Sequence, residues 1–355
     1  MQLRKNSLFI LVAVAGLAQT PPTPIKTLPS QTTPIKDEVV PFKTGVQEVI
    51  VPVTVTDDKG RFVSDLDQGD FQVFDEGVLQ NIRFFTRERS QPVVVGFLID
   101  QSNTVKLNWK TYREAAIDLV LTLMPQDQGK KFSGFLVTYS NEAELKVNTT
   151  QDPQKITAKI EKLKPGGGSA LFDAIYQSCT ARDLVKGEPI EPRRIIVIVG
   201  DGHDNASKHT LDQVLELAQR NLFTIYAVST TGFGFTSEGD AILKRLTQET
   251  GGRVEYPLMD AYKDVSGYLS KPSDDGNYAI TIGTGGYASA IASGIFKSIA
   301  AVTGEITTQY IIRYSPEIKE KTSSYSKRRI EVKDALPNVK VRARTDYYPQ
   351  NAPDN

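Results

Sequence analysis

The sequence predicts an α/β fold: a doubly wound, mostly parallel sheet, flanked by a small β-rich unit built from both chain ends. Three observations carry this. Between about residues 91 and 256, short apolar runs alternate with stretches of helical spacing, the βαβ rhythm of a parallel sheet. Val93–Ile99 and Arg194–Gly200 are apolar along nearly their whole length, as strands covered on both faces should be. Before and after this region the period falls to two, in segments of the same style.

In order, the chain begins with Arg4 and Lys5 ahead of an apolar run, Leu8 to Leu17, too short to cross a bilayer. Gly16 and Ala18 put small residues in place for a cut after Ala18, so residues 1–18 read as a secretory signal peptide. An uncleaved membrane anchor is the alternative. No cysteine lies nearby to carry a lipid, and no second apolar stretch is long enough, so no membrane span is expected after cleavage. The expected location is secreted or periplasmic. Proline and threonine dominate residues 19–42, which read as an extended linker.

Residues 43–90 form the N-terminal β-rich unit. Val49–Asp57 alternates, with Val49, Val51, Val53 and Val55 on one side. Asp57–Arg61 is a turn, and Phe71–Gly77 and Ile82–Glu88 are further strands. Asp65, Asp67 and Asp70 lie between strands; a calcium loop is one reading, but the spacing is foreign to an EF-hand, which favours a solvated loop.

Residues 91–313 form the α/β domain. After strand Val93–Ile99 comes a helix over Asn108–Met124, with Ala115, Ala116, Leu119, Val120 and Leu123 at helical spacing. Strand Phe132–Tyr139 is followed so closely by Ala143–Val147 that an antiparallel hairpin at the sheet edge is expected. Helix Asp152–Leu163 leads into Lys164–Cys179, a run of three glycines opening a helix. This run lacks the G-K-[ST] ending of a phosphate-binding loop, which excludes nucleotide binding there. Strand Arg194–Gly200, helix Thr210–Gln219, strand Phe223–Val228, helix Asp240–Glu249 and strand Gly252–Tyr256 complete the series. A short helix over Met259–Leu269, an insertion at about 273–287 and a helix over Ala288–Val302 follow. After Gly304 the period returns to two, in strands Tyr310–Pro316, Arg328–Asp334 and Val339–Tyr348, and residues 314–355 are expected to join the N-terminal unit.

Composition excludes several functions. Lys plus Arg and Asp plus Glu both number 42, so there is no basic excess to neutralise nucleic-acid phosphates. One cysteine, Cys179, precludes an intramolecular disulfide and reads as a small buried residue on a helix. Two histidines leave little material for His-based catalysis.

The candidate site lies at strand ends. Val93–Ile99 runs into Asp100, Ser102 and Thr104, alternate residues that can aim one carboxylate and two hydroxyls at a common point. A hard divalent cation takes such oxygen ligands. The same residues also arise as turn and cap chemistry. Strand Arg194–Gly200 likewise ends on Asp201-Gly202. Ser169, just before a helix, has two readings: N-cap, or a third hydroxyl for the cation. Asp173, in that helix's first turn, reads as structural.

On these residues the α/β part resembles a von Willebrand factor type A domain. That resemblance implies a metal-ion-dependent adhesion site with the pattern Asp-x-Ser-x-Ser, a Thr in a later loop, and an Asp-Gly. Asp100, Ser102 and Asp201 match; Thr104 stands in place of Ser and Ser169 in place of Thr, each keeping its hydroxyl. The whole chain also resembles a group of secreted bacterial proteins carrying this domain, through DF-x-V-x-D-x-G (Asp70–Gly77) and R-x-R-x-x-Y-Y (Arg342–Tyr348).

The resemblance implies Mg2+ (or Mn2+ or Ca2+) held by Asp100, Ser102, Thr104, Ser169 and Asp201, with an open position for an Asp or Glu from a protein partner. Only two of the five ligands are charged, so the cation stays electrophilic. The expected function is a cation-dependent, adhesion-type binding module and not an enzyme. The alternatives are an envelope scaffold with a non-functional metal site, or a hydrolase using His203 and His209 near Asp201 and Asp204. The hydrolase lacks a G-x-S-x-G nucleophile.

Overall fold

The computed structural model describes residues 48–87, 92–125, 132–181, 184, 192–231, 238–257, 285–316, 327–334 and 336–349. All of them belong to one of two compact units, Thr44–Asn355; the other, Met1–Lys43, lies outside the described residues. The expected signal peptide, linker, helix 259–269 and most of the insertion at 273–287 also fall outside them.

The centre is a six-stranded sheet. Its strands are β5 (Val93–Asp100), β6 (Phe132–Tyr139), β7 (Ala143–Thr150), β8 (Arg193–Gly200), β9 (Phe223–Ser229) and β10 (Val254–Glu255), ordered β10-β9-β8-β5-β6-β7. All neighbours are parallel except β6 and β7, which form the antiparallel edge hairpin expected from their short link. Every residue of β5 is buried, and the pleat divides its side chains between two cores. Val93, Val95, Phe97 and Ile99 pack with α1 (Trp109–Leu123), α2 (Pro153–Ile160) and α6 (Gly285–Thr308). Val94 and Leu98 pack with α3 (Leu171–Thr180), α4 (Leu211–Arg220) and α5 (Glu238–Thr250). Cys179, on α3, is partly buried against this second core. The chain leaves β5 for β6 on one side and returns to β8 on the other. The gap between the ends of β5 and β8 is therefore the topological switch point, where ligands of open α/β sheets bind.

The flanking unit is a pair of antiparallel sheets drawn from both chain ends. One has the order β13-β1-β11-β4, with β1 (Val49–Asp57), β4 (Ile82–Thr86), β11 (Tyr310–Tyr314) and β13 (Val339–Ala343). The other has the order β14-β12-β2-β3, with β2 (Phe71–Asp75), β3 (Val78–Gln80), β12 (Arg328–Asp334) and β14 (Asp346–Tyr347). The valine face of β1, no more than 2% exposed at any valine, packs with Phe71, Tyr310 and Tyr314 in a third core. Pro52, with no amide hydrogen to give, lies in the half of β1 that β11 alone pairs.

Three expectations change. Val339–Tyr348 is not one strand: β13 ends at Ala343, and β14 belongs to the other sheet, so the chain changes sheets at Arg344-Thr345. The last helix extends well beyond Ala288–Val302, and Gly285–Tyr287, read as loop, are helical. The acidic loop is exposed but partly built: across a short 3-10 turn the Asp70 Oδ2 accepts from the Asp67 amide at 2.8 Å and the Asp67 carbonyl from the Asp70 amide at 3.1 Å, with Arg87 3.2 Å from the Asp67 carboxylate.

Candidate metal centre

Register brings the two carboxylates together. Ile99 of β5 pairs with Val199 of β8, so Asp100 and Asp201 emerge from adjacent parallel strands one residue out of step. Asp100 is 2% and Asp201 8% exposed. The Asp100 Oδ1 accepts from the Ser102 amide at 2.7 Å, and the Asp201 Oδ1 accepts from the His203 amide at 3.0 Å. Each aspartate thus closes its own turn through one oxygen. The Asp201 Oδ2 lies 3.3 Å from His203 Nδ1, whereas the Asp100 Oδ2 is buried with no hydrogen-bond partner.

Desolvation, then the charge of Asp201, push the Asp100 carboxyl up to about 7, against the opposing pull of the Ser102 and Asp201 amides.

The hydroxyls arrive on two loops tied to the strand ends. The Ser102 Oγ, on a residue 2% exposed, lies 2.7 Å from the Thr104 Oγ1, which sits on an exposed residue. The glycine-rich loop is stitched to the turns after β5 and β6. Gly166 N donates to Gln101 O at 2.5 Å, Asn103 N to Gly167 O at 3.1 Å, and Gly168 N to the Asn141 Oδ1 at 2.6 Å. Gly167 has φ +95, a conformation a side chain resists. Ser169, 1% exposed, is stitched to the turn after β8. Its Oγ donates to His203 O at 2.7 Å, its amide to the Asn205 Oδ1 at 2.8 Å, and its carbonyl accepts from the Asn205 and Ala206 amides.

The N-cap reading of Ser169 is not what the structure holds. The cap of α3 is Ala170, and the Phe172 and Asp173 amides are met by Asp204 at 2.9 Å and Ser207 at 3.0 Å. Asp173 itself accepts from the Lys208 and His209 amides and lies 2.6 Å from His209 Nδ1. His209, stacked on Tyr176, is committed there.

Several participants carry no sequence signal of their own. Asp204, Asn205 and Asn141 fix the loops. Tyr139, 1% exposed at the end of β6, keeps its hydroxyl buried and unpartnered beside the two carboxylates; burial first, then the charges of Asp100, Asp201 and Asp204, hold it well above its ordinary range. Gly200 leaves the space between them: a Cβ there would strike the Tyr139 Oη and stand 3.0 Å from the Asp100 Oδ2. Gly202, with φ +82, lets the turn after Asp201 pass against the Gly239 carbonyl at the start of α5.

Among the described residues no three His, Cys, Asp or Glu side chains form a metal-holding group. A cation here would rest on two carboxylates and hydroxyls, a hard oxygen set suited to Mg2+, Mn2+ or Ca2+. The residues fit such an ion: an orphaned buried carboxylate oxygen beside a second carboxylate is a site short of positive charge.

Residues 95–203 match the family model described as von Willebrand factor type A domain. No curated protein matches the chain. Among solved structures, the chain is similar to BatB from Bacteroides thetaiotaomicron, at 15% identity and TM-score 0.37, over 52% of this chain and 100% of that one. It is similar to proximal thread matrix protein 1 from the mussel byssus with a zinc-occupied adhesion motif, at 15% identity and TM-score 0.41, over 52% of this chain and 46% of that one. It is also similar to the von Willebrand factor domain of the type V pili tip protein Mfa5 from Porphyromonas gingivalis, at 13% identity and TM-score 0.40, over 51% and 96%.

Proposed function

We propose that this chain, which carries a von Willebrand factor type A domain, is a secreted or periplasmic cation-dependent protein-binding module. Asp100, Ser102, Thr104, Ser169 and Asp201 hold Mg2+, Mn2+ or Ca2+, and an Asp or Glu of a protein partner completes the coordination. The observation that carries this reading is the Asp100 Oδ2, buried without a partner beside Asp201 at the sheet's switch point. A bound cation supplies a Lewis-acidic position that a partner carboxylate can fill. The chain's own part is to hold the oxygens in place through the stitched loops and to keep water out around Tyr139.

A scaffold reading has one observation in its favour: the Ser102, Thr104 and Ser169 hydroxyls already have partners. In that reading Asp100 resolves its charge by taking a proton. Calorimetric titration of Mg2+ and Mn2+ into the wild type and Asp100→Ala separates the two. The metal reading expects saturable heat with the wild type and none with the variant; a wild type without heat leaves the scaffold.

The proposed partner chemistry is protein, with no nucleic acid, and no membrane span is proposed for the mature chain. No helix among the described residues is long and apolar enough to cross a membrane. The expected domain limits, with residues 43–90 and 314–355 around the α/β part, stand as part of the same proposal.

A further inference from the structure

The two terminal motifs meet in the β-rich unit. Asp75, fully buried, accepts from the Tyr314 hydroxyl at 2.9 Å, the Tyr347 hydroxyl at 2.8 Å and the Arg328 Nε at 2.9 Å. Arg342 pairs with the buried Glu305 of α6. Lys327 pairs with Glu249, and both Lys327 and Arg220 lie over the Tyr348 ring. In R-x-R-x-x-Y-Y, then, the first arginine and both tyrosines have partners within the chain.

Arg344 does not. It is 6% exposed, yet its Nε has no hydrogen bond and no carboxylate lies within ion-pair distance among the described residues. The guanidinium carbon lies 5.8 Å from the centre of the Tyr347 ring. A buried, unpaired guanidinium is costly, and the usual remedy is a bidentate anion. Burial lowers its pKa only to about 10, so it remains charged at neutral pH.

Arg344 lines a cleft of about 550 Å³ between β12 and the bend where β13 passes into β14. Arg329, exposed and also without a carboxylate partner among the described residues, lines the same cleft.

We propose that this cleft is a binding site for a monocarboxylate with a small apolar body, its carboxylate held by Arg344 and Arg329. Charge decides for one negative charge over two: Lys327 and Arg328 are already paired with Glu249 and Asp75, which leaves Arg344 and Arg329 as the cations without an ion pair among the described residues, in a cleft that also holds Glu76, Glu331 and Asp346. A phosphate dianion would meet that acidic rim with too little compensation. Volume decides for a body: the cleft exceeds what a bare carboxylate fills, and Val341 and Ala343 offer it an apolar wall. The carboxylate can come from a free acid or from a peptide C terminus. This inference is independent of the metal centre.

The test uses the full chain in chelator, so that no cation competes for the probe. The readout is the Arg344 Nε–H resonance, assigned by its loss in Arg344→Lys. Titration with N-acetylvaline, mimicking a peptide end, and with 3-methylbutanoate, a free acid, should move it saturably; the tighter of the two identifies the source. N-acetylvalinamide should leave it unmoved. Arg329→Gln, a change on the surface, should weaken binding several-fold while the fold is kept, whatever Arg344→Lys does to stability. No shift with either acid, an equal response to the amide, saturation by inorganic phosphate alone, or unchanged affinity in Arg329→Gln would each overturn the proposal.

Discussion

Asp100 concentrates the physical chemistry of the candidate metal centre. Its carboxyl pKa of about 7 in the fold compares with about 3.9 in an unfolded chain. Between those values the folded state holds a proton that the unfolded state has lost. The resulting penalty is absent below the unfolded value, grows as pH rises, and is complete above the folded value. Metal-free protein should therefore lose stability from about pH 4 to pH 7, by a few kcal/mol from this group. Glu255, pushed up to about 7 by burial, acts in the same direction, so the measurement is the difference between wild type and Asp100→Asn in denaturant titrations at each pH. The account expects the variant to lose less. It also expects Mg2+ to stabilise the wild type at pH 8 and leave the variant unmoved. Equal pH slopes would contradict it.

Asp100 and Asp201 stand out in the sequence because each sits where an apolar strand stops, and Ser169 because it follows a run of three glycines. Tyr139, Asn141, Asp204 and Asn205 do not. Nothing local distinguishes a tyrosine that ends a strand, and the asparagines act across gaps of 27 and 36 residues.

At the scale of elements, the site depends on turns that tolerate no side chain. Gly202 combines a left-handed φ with contact against a backbone carbonyl. Gly202→Ala should cost more than about 1 kcal/mol by thermal or chemical denaturation, and should weaken cation binding because Asp201 moves with its turn. Retained affinity would separate the turn from the site.

Strand and helix existence follows from periodicity, but element ends do not. Val339–Tyr348 alternates without interruption through Arg344-Thr345, and period alone cannot show a chain passing from one sheet to another. The last helix outruns its apolar centre because Gly285-Gly286 and Thr303-Gly304, weak helix formers, are carried along with that centre. The glycine-rich loop is visible as a loop, whereas its stitching to both strand ends is tertiary.

For the whole molecule, the β-rich unit and the α/β part are joined by specific polar contacts. Arg342 reaches Glu305, Lys327 reaches Glu249, and the Gln219 Nε2 donates to the Asp346 Oδ1 at 2.9 Å. Glu305 also lies 3.2 Å from the Tyr226 hydroxyl of β9. One cooperative unfolding transition is expected. Asp75→Ala leaves Arg328 and two tyrosine hydroxyls unpaired in the β-rich unit and should cost about 3–5 kcal/mol. Because the parts are coupled, fluorescence of Trp109 on α1, the chain's one tryptophan, should shift its midpoint together with far-ultraviolet dichroism. A Trp109 transition left in place while the dichroism moves would mean that the two parts unfold independently.

The central claim is that a cation is held where β5 and β8 end. Anomalous scattering from crystals of the chain grown with Mn2+ tests it most directly. The account predicts a peak within bonding distance of oxygens from Asp100, Ser102, Thr104 and Asp201, directly or through water, on the side of Ser169. A fully ordered site without a peak there, or a peak held by other residues alone, contradicts it.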